Sequence, residues 1–125
     1  MQKYLYIAIG GALGSLVRFW VGSLVAARMG TRFPYGTFVI NLSACFLIGF
    51  SLELLGERVD LNPVWRYLIP TGFVGSYSTF STFEWETFSN LQMGAFPVAG
   101  LYVGLSVVLG LVGVWCGVFA ARLLA

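Results

Sequence analysis

Between Glu86 and Arg122 the chain carries no charged residue, and Gly100, Gly104, Gly110, Gly113 and Gly117 smooth the run that follows Pro97. A water-soluble fold has no use for so long a stretch without charge. A bilayer does, because its hydrocarbon core takes about 20 apolar residues to cross. The pattern recurs upstream, with apolar segments from about Tyr4 to Ala27, about Tyr35 to Leu55 and about Pro63 to Leu91, before the last from about Pro97 to Leu124. Four spans use most of the 125 residues, so a single integral membrane domain over residues 1–125 is expected, with no soluble domain. The composition fits: 58% of residues are hydrophobic and 10% charged, where soluble domains carry about 25% charged residues.

Several function classes fall away at once. A net charge of +2 from scattered residues does not suit nucleic acid. The chain has no histidine, and Cys45 and Cys116 stand in different apolar segments. Neither a side-chain metal cluster nor a disulfide framework is expected, and both cysteines read as small buried hydrophobes. No nucleophile–base pair and no phosphate-binding loop is present, so an enzyme is not expected. The first segment opens with Lys3 alone and runs past Arg18, too long and too interrupted for a cleaved signal peptide.

Within this apolar frame the third segment is anomalous. Gly72-Phe-Val-Gly-Ser-Tyr-Ser-Thr-Phe-Ser-Thr-Phe83 gathers hydroxyls and glycines at membrane depth. Asn62-Pro63 reads as a helix start, a cap residue followed by proline. Pro70 lacks a backbone donor and the nearby glycines permit non-helical conformations, so a break is expected near 72–78. The expected half-helices run from Pro63 to about Thr71 and from Thr79 to about Asn90. Irregular backbone at membrane depth is tolerated only where protein buries it or it lines a wet cavity, which makes this stretch the candidate site. Glu53, Glu57, Arg58 and Asp60 form the charged loop before it.

The other segments contribute isolated polar residues. Arg18 lies inside the first span, where a charge costs about 2.5–3.5 kcal/mol, so it must face a cavity, a carboxylate or carbonyls. Gly10 and Gly14 form a GxxxG pair that allows close helix approach. Thr37 and Asn41 are four apart and share a face of the second span, and Tyr102 and Ser106 do so on the fourth. Phe80 and Phe83 are three apart, and their ring edges carry partial positive charge that attracts an anion without trapping it. Glu84 and Glu86 are two apart and point to different faces, the wrong spacing for a paired-carboxylate site. Lys3, Arg58, Arg66 and Arg122 fall on one side of a four-span layout and Arg28 and Arg32 on the other, a bias too weak to select one orientation.

Three motifs, in order, carry a family resemblance. Gly72 to Phe83, followed by Glu86-Thr87, resembles the third-helix signature of the Fluc/CrcB fluoride channel family. Gly10-Gly-Ala-Leu-Gly-Ser-Leu-Val-Arg18 resembles its first-helix signature, and Pro34-Tyr-Gly-Thr-Phe-Val-Ile-Asn-Leu42 its second. The resemblance covers essentially the whole chain. It implies an all-α membrane protein with four transmembrane helices, the third broken, in an antiparallel, dual-topology homodimer. It also implies two pores exporting fluoride passively across a prokaryotic plasma membrane, the inner membrane in a Gram-negative cell.

By the same resemblance, Phe80, Phe83, Asn41, Tyr102 and Ser106 are expected at the fluoride pore and Arg18 at its vestibule, and the neighbouring polar residues Thr37, Thr79, Ser81 and Thr82 are expected to join the pore. A central structural sodium ion is expected on the backbone carbonyls of Gly75 and Ser78. The expected partners are fluoride, a second copy of the chain and the bilayer, with no nucleic acid or soluble protein implied. The family usually has a glycine where Ser76 stands and a threonine where Ser78 stands, and Gly110, one turn beyond Ser106, offers no donor to extend the fourth-helix polar track. Two alternatives remain. A small multidrug exporter would need a carboxylate in the first span, which has Arg18 instead. A membrane scaffold would account for the glycines but not for the hydroxyls of the third segment.

Overall fold

A computed structural model describes residues 1–56 and 58–124. Glu57, part of the expected charged loop, and Ala125, the end of the expected domain, lie outside the described residues. Every regular element among the described residues is helical: α1 (Gln2–Met29), α2 (Tyr35–Gly56), α3 (Val64–Arg66), a π-helix (Tyr67–Val74), α4 (Gly75–Tyr77), α5 (Phe80–Gln92) and α6 (Phe96–Leu124). α1, α2 and α6 are each long and apolar enough to cross a membrane. The third crossing is made in pieces, from α3 to α5.

Local chemistry accounts for the helix ends. α1 stops at Gly30, whose φ of 79° suits a residue without Cβ, and the Gly30 N–H closes the last turn on the Ala26 carbonyl at 3.0 Å. The Asn62 side chain accepts the Val64 N–H at 3.1 Å and starts the third crossing, as its sequence signature predicts. Arg66 then reaches back across the loop, donating from Nε to the Leu55 carbonyl (2.9 Å) and from its terminal nitrogen to that of Arg58 (3.0 Å). Arg66 therefore caps the carbonyl end of α2.

The broken third helix is present, but its break sits later than the glycines and proline suggest. Helical winding continues past Pro70, Gly72 and Gly75 to Tyr77. Only Ser78 (φ −75°, ψ 157°) and Thr79 (φ −147°, ψ 119°) are extended. Pro70 is absorbed by π winding: the wider turn takes i→i+5 bonds and moves aside the carbonyl that a proline ring strikes in an α-helix. Gly72 serves packing instead of breaking the helix. A Cβ there would lie 2.9 Å from the carbonyl oxygens of Ile7 and Tyr67.

Across that contact, a Cβ on Gly10 would strike the main chain at Leu68, and one on Gly14 would strike Phe73 and the Ser76 hydroxyl. The GxxxG pair of α1 is thus the bed of the π-helix. Ser76 stays helical and turns its side chain to use. Its hydroxyl lies 2.8 Å from the Gly11 carbonyl on α1 and 3.0 Å from that of Gly72. A second close seam joins α2 to α6, with Gly49 against Val114 and Gly117 against Phe46 and Phe50. Between the seams, Ile40, Ala44, Val74 and Tyr77 form a small buried core, flanked by Val17, Val21, Leu47 and Ile48.

Candidate functional site: the helix break and its cavity

Two extended residues in a membrane-spanning helix leave backbone groups without ladder partners, and their replacement bonds define the site. The Thr79 N–H, which an unbroken helix would give to the Gly75 carbonyl, goes to Asn41 Oδ1 at 2.9 Å. Asn41 Nδ2 returns a bond to the Thr79 carbonyl at 3.0 Å. One amide on α2 therefore replaces the lost ladder bond of the Thr79 N–H and adds a second donor to the Thr79 carbonyl, which as the N-cap of α5 already closes the first helical turn. Thr79 also caps α5, its Oγ1 accepting the Thr82 N–H at 3.3 Å. In an unbroken helix that N–H would go to the Ser78 carbonyl. The carbonyl oxygens of Gly75 and Ser78 both lose their regular helical donors in this way. Thr79 Oγ1 further donates to Thr82 Oγ1 at 3.1 Å, with Ser81 Oγ at 3.5 Å.

Beside the break, a cavity of about 600 Å³ opens between α1, α2 and α5, with Arg18, Thr37, Thr79, Thr82 and Glu86 in its wall. Arg18 is half-buried there. Of the other sequence-predicted residues, Asn41 sits behind Thr79, and Ser81 is exposed on the first turn of α5. Phe80 and Phe83 form a tilted pair with ring centroids 5.9 Å apart, yet their settings differ. Phe80 is 76% exposed on the single chain, whereas Phe83 is 7% exposed. Phe83 also meets the Tyr102 ring at 4.9 Å, which in turn packs edge-on against Phe33 at 5.4 Å. Ser106 lies one turn along α6 from Tyr102, half-buried and outside the cavity wall. Gly75 is exposed and Ser78 half-buried.

Glu86 joins the site through two flanking helices. The Tyr102 hydroxyl, on a fully buried side chain, donates to Glu86 Oε1 at 3.2 Å, and the Thr37 hydroxyl lies against the same carboxylate. Residues three or four apart share a helix face, so Thr82, Phe83 and Glu86 project together. That relation was visible in the sequence, but comparing Glu86 only with Glu84 concealed it. Glu84 is exposed. The site thus combines neutral hydroxyl and amide donors, ring edges, one cation and one hydrogen-bonded carboxylate. Among the described residues no group of three or more His, Cys, Asp or Glu is placed to hold a metal ion.

Similarity to known proteins covers nearly the whole chain. The family described as CrcB-like protein, Camphor Resistance (CrcB), matches residues 5–118. The chain belongs to the CrcB family. A member from Acidobacterium capsulatum, named fluoride-specific ion channel FluC, is 55% identical over 116 residues, covering 93% of each chain. A second CrcB relative of the same name, from Solibacter usitatus, is 48% identical over 121 residues, covering 97% of this chain and 99% of its own. With bacterial relatives and three helices of spanning length, this CrcB protein is a multi-pass protein of a prokaryotic plasma membrane.

Proposed function

We propose that the chain is a fluoride-selective channel, not an enzyme, which lets fluoride leave the cytoplasm passively and so protects the cell from fluoride toxicity. The observation that carries this most is identity of 55% and 48%, over almost the full chain, to relatives named fluoride-specific ion channels. The chemistry of the break agrees. Conduction needs binding favourable enough to enter and weak enough to leave. The neutral polar side chains of Thr37, Asn41, Thr79, Ser81, Thr82, Tyr102 and Ser106, with the edges of Phe80 and Phe83, offer that better than fixed charges in series. The hydroxyl protons among them can turn from their present acceptors to an anion. Arg18 at the vestibule raises the local anion concentration by its field.

The working unit is an antiparallel, dual-topology homodimer with two pores. Supporting this, Thr71, Gly75, Ser81 and Thr82 are exposed on the single chain beside the 76%-exposed Phe80. Lipid does not solvate such a strip, and a second copy would cover it. A structural sodium ion fits the Gly75 and Ser78 carbonyl oxygens, because Asn41 and Thr79 take the N–H groups that would otherwise occupy them. Main-chain oxygens at a helix break suit such a cation. When bound, it would supply fixed positive charge that holds these carbonyls in place.

The test is anion efflux from liposomes containing only this protein, with fluoride compared with chloride, with and without a pH gradient. Rapid fluoride efflux without a gradient, with chloride retained, is the expected result. Efflux only in exchange for protons would favour an exporter, and no efflux a scaffold. Taking a ring-edge contact to be worth as much as an aromatic pair, about 0.5–1.5 kcal/mol, its loss should slow fluoride roughly twofold to tenfold in Phe80→Ile and in Phe83→Ile. Phe83→Ile should also lower the melting temperature, because Phe83 is buried against Tyr102 within the chain. Near-normal efflux in both variants would remove the rings from the pathway.

A further inference from the structure

Ser78 is bracketed on both sides by bonds to the same helix. Downstream, Thr79 is held by the reciprocal pair with Asn41. Upstream, the Tyr77 hydroxyl meets Ser43 Oγ at 2.9 Å. As α2 advances from Asn41 to Ser43, the third crossing retreats from Thr79 to Tyr77, so the two anchors keep one register. The protons can be assigned. Ser43 Oγ lies 2.7 Å from the Val39 carbonyl and donates there, which leaves Tyr77 to donate to Ser43.

Packing alone does not require that hydroxyl. Tyr77 is 5% exposed, its ring stacked on Phe73 at 5.7 Å and set against Ile40, Ala44 and Val74. A phenylalanine would fill the same space without a polar atom that demands a partner. Neither Tyr77 nor Ser43 lines the cavity. What they share is adjacency to the break.

The geometry points to Ser43 and Tyr77 as positioning residues for the helix break: their paired hydroxyls fix the upstream side of Ser78 on α2 as Asn41 fixes the downstream side. With residues 77 and 79 both anchored, Ser78 is left with little conformational freedom. Its extended backbone and the direction of its carbonyl are thereby set. The functional half of this inference rests on the channel reading, and the structural half does not.

Tyr77→Phe deletes the hydroxyl and keeps the ring. Hydrogen exchange of membrane-reconstituted protein over residues 77–82 should become roughly threefold to tenfold faster, the range that one neutral hydrogen bond covers. Exchange along α6 should not change, which separates a local anchor from a general loss of stability. Fluoride efflux should fall in proportion. Ser43→Ala should match Tyr77→Phe, and the double variant should be no worse than either, because both remove one bond. Unchanged exchange at 77–82 would overturn the inference, as would faster exchange there with normal fluoride efflux. If the unmodified protein moved no fluoride, the channel reading would fall and exchange at 77–82 would still decide whether the hydroxyl pair anchors the break.

Discussion

Asn41→Ala is expected to reduce fluoride efflux roughly tenfold to a hundredfold, because a buried donor left unpaired costs about 1–3 kcal/mol and the Thr79 N–H has no other partner while the helix is broken. Interhelical polar bonds in membranes average only about 0.6 kcal/mol when the freed groups find other partners. Thr79 has one obvious alternative, which is to return its N–H to the Gly75 carbonyl and rebuild the helix. That relaxation would spare stability and remove the break. The melting temperature should therefore fall by less than the efflux loss implies. Asn41→Asp separates the two bonds: a carboxylate still accepts the Thr79 N–H but cannot donate to its carbonyl. Efflux from liposomes and melting in detergent, measured on both variants, provide the check. Normal efflux from Asn41→Ala would show that something other than this amide keeps the helix open.

The second large effect concerns neighbouring glycines with opposite expectations. Gly10→Ala should destabilise the protein by roughly 1–3 kcal/mol or more, the cost of overpacking. The methyl meets the main chain of Leu68 and Phe73, not side-chain ends that could turn away. Gly11→Ala meets only the Gly72 carbonyl oxygen at 4.0 Å. It should be neutral or stabilising by up to about 1 kcal/mol, since alanine favours helix over glycine. Monodispersity in size-exclusion chromatography and the melting temperature report both. Equal behaviour of the two variants would mean that α1 does not rest on the π-helix as described.

How much of this was legible beforehand differs from element to element. The spans of α1, α2 and α6 follow from long apolar runs with few charges, Arg18 being the one charge deep inside the first, because a bilayer disfavours charge whatever the tertiary packing. The starting signal at Asn62-Pro63 is also local and is seen in the structure. The break is a different matter. Pro70, Gly72 and Gly75 announced an interruption, yet π winding absorbed the proline and close packing on Gly10 used the first glycine. The interruption settled at Ser78–Thr79, where an amide 38 residues away in the sequence takes the Thr79 N–H. No local pattern encodes a partner on another helix. Glu86 was hidden differently: its face was readable from Thr82 and Phe83, but the hydroxyls of Thr37 and Tyr102 come from helices on either side of it in the chain.

The reciprocal bond between Asn41 and Thr79 also bears on how the chain is made. α2 leaves the ribosome before the third crossing does, so the amide is in the membrane before Thr79 arrives. A third crossing released into lipid without it would carry a bare main-chain N–H at Thr79, a state that hydrocarbon penalises heavily. Synthesis in this order supplies the acceptor first, and the interruption forms as the segment docks. α6, which contributes nothing to that bond, can follow later. Reversing the order of these helices by circular permutation would leave Thr79 to wait for its partner, and correct assembly would then compete with misinsertion.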